Sequence, residues 1–129
     1  MKSFLVAIAC LILLAACKKS KNANELVGTW KLIETHRIGQ IDWVTVHPSE
    51  EVVLTFNNDY TYTIMPPLIS SWSGCNGTYR ITREKLLFMT SACSVNPFEE
   101  ELEYVRDGNT LILNHLMTAT GIRAKYIKQ

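Results

Sequence analysis

Three histidines, a crowded run of serines, a block of glutamates and four cysteines are the side chains of this 129-residue chain whose types and spacing invite chemistry. His36, His47 and His115 lie far apart and form no HxH or HExxH grouping, so a metal site would have to be assembled by the fold. Surface histidines account for them, and no metal ligand is assigned. Ser70, Ser71 and Ser73 share one loop, but no Gly-x-Ser-x-Gly elbow is present, which leaves a serine hydrolase without support. Glu99, Glu100, Glu101 and Glu103 would suffice for a carboxylate pair or a calcium site. Consecutive glutamates, however, point to alternate faces of a strand or around a helix, and the expectation is a solvated acidic patch. With no nucleophile, acid–base pair or metal cluster in view, the chain is expected not to be an enzyme, to have no catalytic residue and to need no cofactor.

The elements that must position these groups read as short strands. From Leu26 onward apolar and polar residues alternate, the period of a strand with one buried face. Trp30 and Leu32 make one such repeat, followed by Val52, Leu54 and Phe56, then by Tyr60, Tyr62 and Ile64. Tyr79 with Ile81, Leu86 with Phe88, Leu102 with Tyr104, Leu111 with Leu113, and Ile122 with Ala124 and Tyr126 continue the pattern. Turn chemistry separates them at Asn57-Asn58-Asp59, Thr82-Arg83-Glu84 and Arg106-Asp107-Gly108-Asn109, where Asn and Gly tolerate the positive φ of tight hairpins. Helix is expected at most as a turn or two over residues 96–102, starting at Pro97. Eight or nine short strands must hide their edges, and closing the sheet does so most completely. The predicted fold is therefore all-β, a small antiparallel up-and-down barrel of about eight strands, with a sandwich as the alternative. Inward aromatics and branched residues should leave only a modest cavity.

Upstream of the strands, Lys2 supplies a positive start and residues 4–14 form an apolar core, the pattern of a signal peptide, too short to span a bilayer as a helix. The run ends at Leu14-Ala15-Ala16-Cys17, which resembles the lipobox of bacterial lipoproteins. That resemblance implies cleavage before Cys17, thioether diacylation of its sulfur and acylation of the new amino group; ordinary cleavage after Ala16 beside a chance cysteine is the plainer alternative. Residues 1–16 are thus expected to be a signal peptide, 17–25 a lipidated cysteine and polar tether, and 26–129 one barrel domain. Several acyl chains, palmitate among them, each contributing ~0.8 kcal/mol per buried methylene, would hold the protein on a membrane of the cell envelope. No Asp or Glu run follows Cys17, which favours a periplasm-facing anchor. Basic and acidic residues number 13 and 12, and losing Lys2 balances them. A balanced chain is not expected to bind nucleic acid. With Cys10 removed and Cys17 lipidated, Cys75 and Cys93 remain, and in an oxidising compartment such a pair usually forms a disulfide, stabilising by roughly 3 kcal/mol. The alternative, two metal-binding thiolates, lacks partner ligands at finger-like spacing.

The segment Leu26-Val27-Gly28-Thr29-Trp30-Lys31-Leu32 resembles the opening Gly-x-Trp strand of lipocalins and of lipocalin-like domains in small bacterial lipoproteins. The resemblance implies that Gly28 lets the chain turn in under the barrel, that Trp30 plugs its closed end, and that an Arg from the last strand, here Arg123, packs over the indole. A second, partial resemblance is to the META domain of secreted bacterial proteins, carried by Gly74-Cys75-Asn76, Tyr79, Leu86, Thr90-Ser91-Ala92-Cys93 and the acidic residues before Leu102. Neither resemblance brings a catalytic residue. The lipocalin reading implies a lipid-anchored protein holding a small hydrophobic ligand, with Tyr60, Tyr62 and Trp72 near the barrel mouth. The loop 65–73, apolar at Leu68, Ile69 and Trp72 and stiffened by two prolines, supplies the other expectation, a surface at 66–73 that binds an envelope protein, or more simply a flap over the core.

Overall fold

The computed structural model describes residues 25–66, 75–82, 85–92, 97, 99–115 and 121–129. The expected signal peptide, the tether apart from Glu25, Cys17, Trp72, Cys93 and most of the 66–73 loop lie outside the described residues. Among the described residues nine strands form one antiparallel sheet: β1 (Gly28–Arg37), β2 (Val44–Thr45), β3 (Val53–Phe56), β4 (Thr61–Met65), β5 (Gly77–Ile81), β6 (Leu86–Ser91), β7 (Glu99–Asp107), β8 (Thr110–His115) and β9 (Ile122–Lys128). Pairing of β1 with β9 closes eight of them into a barrel, and β2 is an extra strand on β1 beyond the end of β3. The all-β closed barrel is the expected architecture, and residues 99–107 are strand where a helical turn over 96–102 was anticipated.

Period-two alternation does the sorting. Leu54, Phe56, Tyr62, Ile64, Tyr79, Leu87, Met89, Leu102, Tyr104, Leu111, Leu113, Ala124 and Tyr126 point inward and are buried, each large apolar side chain contributing roughly 1.5–3 kcal/mol by leaving water. On β6 the phase is one residue off the expected one: Leu87 and Met89 are inside, while Leu86 and Phe88 face out, Phe88 under the Arg80 guanidinium at 3.7 Å. An Arg stacked on the ring covers apolar surface that would otherwise be wet, so either phase of Leu86-Leu87-Phe88-Met89 looks apolar. A register shift between Leu32 and Glu34 bends β1, the local twist that lets a short sheet curl shut.

The strand ends define two rims. At one, Gly28 (φ +133°) begins β1, and the hairpins 57–60 and 107–110 lie beside Trp30 and Lys128. Trp30 is fully buried there, its Nε1–H donating to the Leu26 carbonyl at 2.7 Å. The guanidinium of Arg106 and the ammonium of Lys128 stand 5.7 and 5.5 Å from its ring. Arg123 does not cover Trp30. It pairs with His36 and Asn114 toward the other rim and is exposed, because the β1–β9 register sets Lys128, not Arg123, opposite Trp30. The second rim, the mouth, collects Arg37, Met65, Gly77, Ser91, Glu99, His115 and Ile122.

Candidate functional site

Beneath the mouth the interior changes from apolar to polar. The residue responsible is Glu100. On β7, Glu99, Glu101 and Glu103 face outward, and Glu99 meets Arg80 at 2.9 Å. Glu100 shares the inward phase of Leu102 and Tyr104 and is 0% exposed, so the expected acidic patch exists only on alternate residues. Its Oε1 lies 2.9 Å from His115 Nδ1, and its Oε2 has no hydrogen-bond partner. His115 is correspondingly no surface histidine: its side chain is 15% exposed, inward in phase with Leu111 and Leu113. His36 and His47 do lie outside, His36 tilted against Trp43 at 5.5 Å.

Two buried phenols feel the Glu100 charge. Tyr62 comes from β4 and is 1% exposed, with a hydroxyl that has no partner. Its ring reaches across β5 because residue 77 is glycine: a Cβ there would sit 2.9 Å from the Tyr62 ring and 2.0 Å from the Thr90 carbonyl oxygen. Burial, reinforced by the Glu100 charge, pushes the Tyr62 hydroxyl up to about 12. The same two causes push Tyr126 up. Burial raises the Glu100 carboxyl above the ordinary carboxylate range, and the hydrogen bond and charge of His115 offset part of that rise. Desolvation dominates because a carboxylate in an apolar barrel loses its water and regains one donor only. Ser91, on the same interior row as Gly77 and Tyr62, is buried as well.

Chemically, the group presents an acceptor (Glu100 Oε2), a hydroxyl that donates or accepts (Tyr62) and an imidazole oriented by a carboxylate. Outside it, a hollow of about 240 Å³ near the rim, lined by Ile38, Glu103, Asn114, Gly121, Ile122 and the exposed Arg123, also reaches His115. The imidazole therefore stands between this hollow and the buried carboxylate. Among the described residues no group of three or more His, Cys, Asp or Glu could hold a metal ion.

Of the described residues expected at a ligand site, Tyr62 is in this group and Tyr60 is not; Trp72 lies outside the described residues. Tyr60 is at the opposite rim: it occupies the β3–β4 hairpin with φ 62°, half-exposed, its ring 5.8 Å from that of Tyr79. The alternation that predicted it inward breaks because the hairpin places a left-handed residue there, with Asp59 accepting from the Thr61 N–H and hydroxyl. Cys75 precedes β5 and is half-buried, at the mouth rim. Glu100 and His115 were missed as a pair, although each was in phase with inward neighbours that the alternation had already identified. Comparison with protein-family models, with curated proteins and with solved structures gives no match in any of the three. What fold and site define is a closed antiparallel barrel with a buried carboxylate–imidazole–phenol group under its mouth.

Proposed function

We propose that this protein is a lipid-anchored, extracytoplasmic, lipocalin-like barrel that binds a small amphipathic molecule with its polar end in the Glu100–His115–Tyr62 group. The observation that carries the reading is a fully buried carboxylate with one oxygen partnered and the other not. Burying such a group is costly, and a ligand that supplies the missing donor accounts for it. The closed, apolar-lined wall supports the same reading. Thermal melting with and without water-soluble amphiphiles tests it. A ligand at about 100 times its Kd adds about 2.7 kcal/mol, an easily resolved rise in Tm, and the absence of any rise across head-group classes rejects the reading.

Anchoring belongs to the same proposal and rests on the lipobox-like Leu14-Ala15-Ala16-Cys17. Mass spectrometry of the amino-terminal peptide should show acylated Cys17, and Cys17→Ser should release the protein from membranes. The sulfur of Cys75 is bonded rather than titrating, which supports its pairing with Cys93. A second reading, docking of an envelope protein at the mouth, is favoured by the exposed apolar side chains Ile38, Ile41, Val44 and Met65, the last adjoining the 66–73 loop. Pull-down with Ile41→Asp and Trp72→Ala variants tests it; full retention of every partner by both rejects it.

A further inference from the structure

We infer that the molecule held at the mouth carries a basic nitrogen, an amine that is cationic at neutral pH, whose N–H groups are taken by Glu100 Oε2 and the Tyr62 hydroxyl. This inference rests on the small-ligand reading and names its head-group class.

Three observations carry it. The unpartnered atoms at the site are an acceptor oxygen and a phenol, and both belong to side chains at most 1% exposed. A head group that completes them must donate to Oε2, so a bare carboxylate cannot serve: it would set two acceptors face to face in a medium that strengthens their repulsion. Second, the inward basic side chains Arg106 and Lys128 sit at the other rim, over Trp30. Near the mouth, Arg123 is exposed and the described inward side chain that can meet Glu100 with positive charge is His115, already bonded to Oε1. The pocket therefore has charge to offset when Glu100 is ionised, and an ammonium offsets it where an alcohol does not. Third, Gly77 brings the Tyr62 ring over β5 toward Thr90, so the phenol is placed by backbone shape rather than by a hydrogen-bond partner of its own. A hydroxyl so held, with a carboxylate near enough to perturb it, forms an acceptor pair for one N–H-rich head group. Around it stand Met89, opposite Glu100, and Leu87 and Leu102, the latter opposite His115, apolar side chains of the kind a short alkyl tail would meet.

The experiment compares three probes of equal chain length, n-hexylamine, n-hexanol and hexanoate, by calorimetric titration into the purified full chain at pH 7, with protein-free blanks. The expected result is hexylamine binding about tenfold or more tighter than hexanol, with hexanoate weaker still, the gain from a charge-assisted bond in a dry site. Glu100→Gln should abolish the preference for amine over hexanol, since the amide keeps the shape and loses the charge. Hexanol or hexanoate binding as tightly as the amine overturns the head-group assignment and leaves the small-ligand reading standing; failure of all three probes overturns both. If Glu100→Gln does not fold, the comparison on the native protein decides alone. An amine preference that survives in a folded Glu100→Gln overturns the role given to the carboxylate.

Discussion

Replacing Arg106 by alanine should weaken the barrel severalfold more than replacing Arg123, although both are arginines near the ends of late strands. Arg106 donates through Nη1 to the Glu25 carbonyl and through Nε to the Gly108 carbonyl at 3.3 Å, and its guanidinium stands 5.7 Å from the Trp30 ring. The part-buried bond from this charged donor to the Glu25 carbonyl is worth about 1.5 kcal/mol, and the exposed one to Gly108 adds little. The cation over indole adds about 0.5 kcal/mol at this distance. Their sum, about 2 kcal/mol, corresponds to a fall in Tm of about 10 °C for a domain of this size. Arg123 is exposed on β9, and truncating it should change stability by no more than about 0.5 kcal/mol. Calorimetric melting of both variants is the assay, with Trp30→Phe as a third and Arg106→Ala combined with it to close a double-mutant cycle. Equal losses, or a larger loss at Arg123, would refute the assignment of Arg106 and Lys128 as the side chains that cover Trp30.

Gly77→Ala forces a methyl to within 2.0 Å of the Thr90 carbonyl oxygen; an overpacking loss of about 1–3 kcal/mol or more is expected, above that of Gly108→Ala, where a Cβ meets nothing within 4 Å and only the φ of +55° is strained. Denaturant midpoints in the reverse order would contradict the close approach. Because burial raises the Glu100 carboxyl above its ordinary 4.5, the folded chain holds that proton more tightly than the unfolded chain does. Its contribution is therefore intact below pH 4.5 and declines as pH climbs through the raised value. Glu100→Gln removes this slope, so its Tm should gain on the native protein across that window; a native protein that gains instead defeats the argument. Tyr62→Phe deletes a buried hydroxyl with no partner, so stability measured by chemical denaturation should hold or rise, whereas a loss above about 1.5 kcal/mol would reveal a strong bond at that oxygen.

Strand count, closure and most of the inward side chains were legible from alternation because period two is a local signal, written in each strand independently of its partners. The failures are of two kinds. Where both phases are apolar, as in Leu86-Leu87-Phe88-Met89, alternation has no preferred face, and the choice falls to cross-strand neighbours such as Arg80 on Phe88. Where a role depends on register, one strand does not contain the answer: which β9 residue faces Trp30 is decided by how β1 and β9 align and resolves to Lys128. Glu100 belongs to neither kind. Its phase was readable beside Leu102 and Tyr104, but the low prior for a buried glutamate outweighed the periodicity. What sets Glu100 apart from the inward Arg106 and Lys128, which stand over Trp30, is a buried oxygen left without a partner.

Joining of β1 to β9 also bears on how the chain reaches its native form. The pairing runs from Trp30 with Lys128 to Arg37 with Ile122, and the Gln129 amide donates to the Thr29 carbonyl. The seam that completes the barrel is thus assembled from the two segments farthest apart along the domain, which makes its search the slowest. A circular permutant that links Gln129 to Leu26 through a short flexible connector, with new ends at the 107–110 turn, converts that distant seam into a hairpin. Because the same cut makes β7 and β8 the distant pair, it should refold at about the parent's rate, with the late-forming seam moved from β1–β9 to β7–β8.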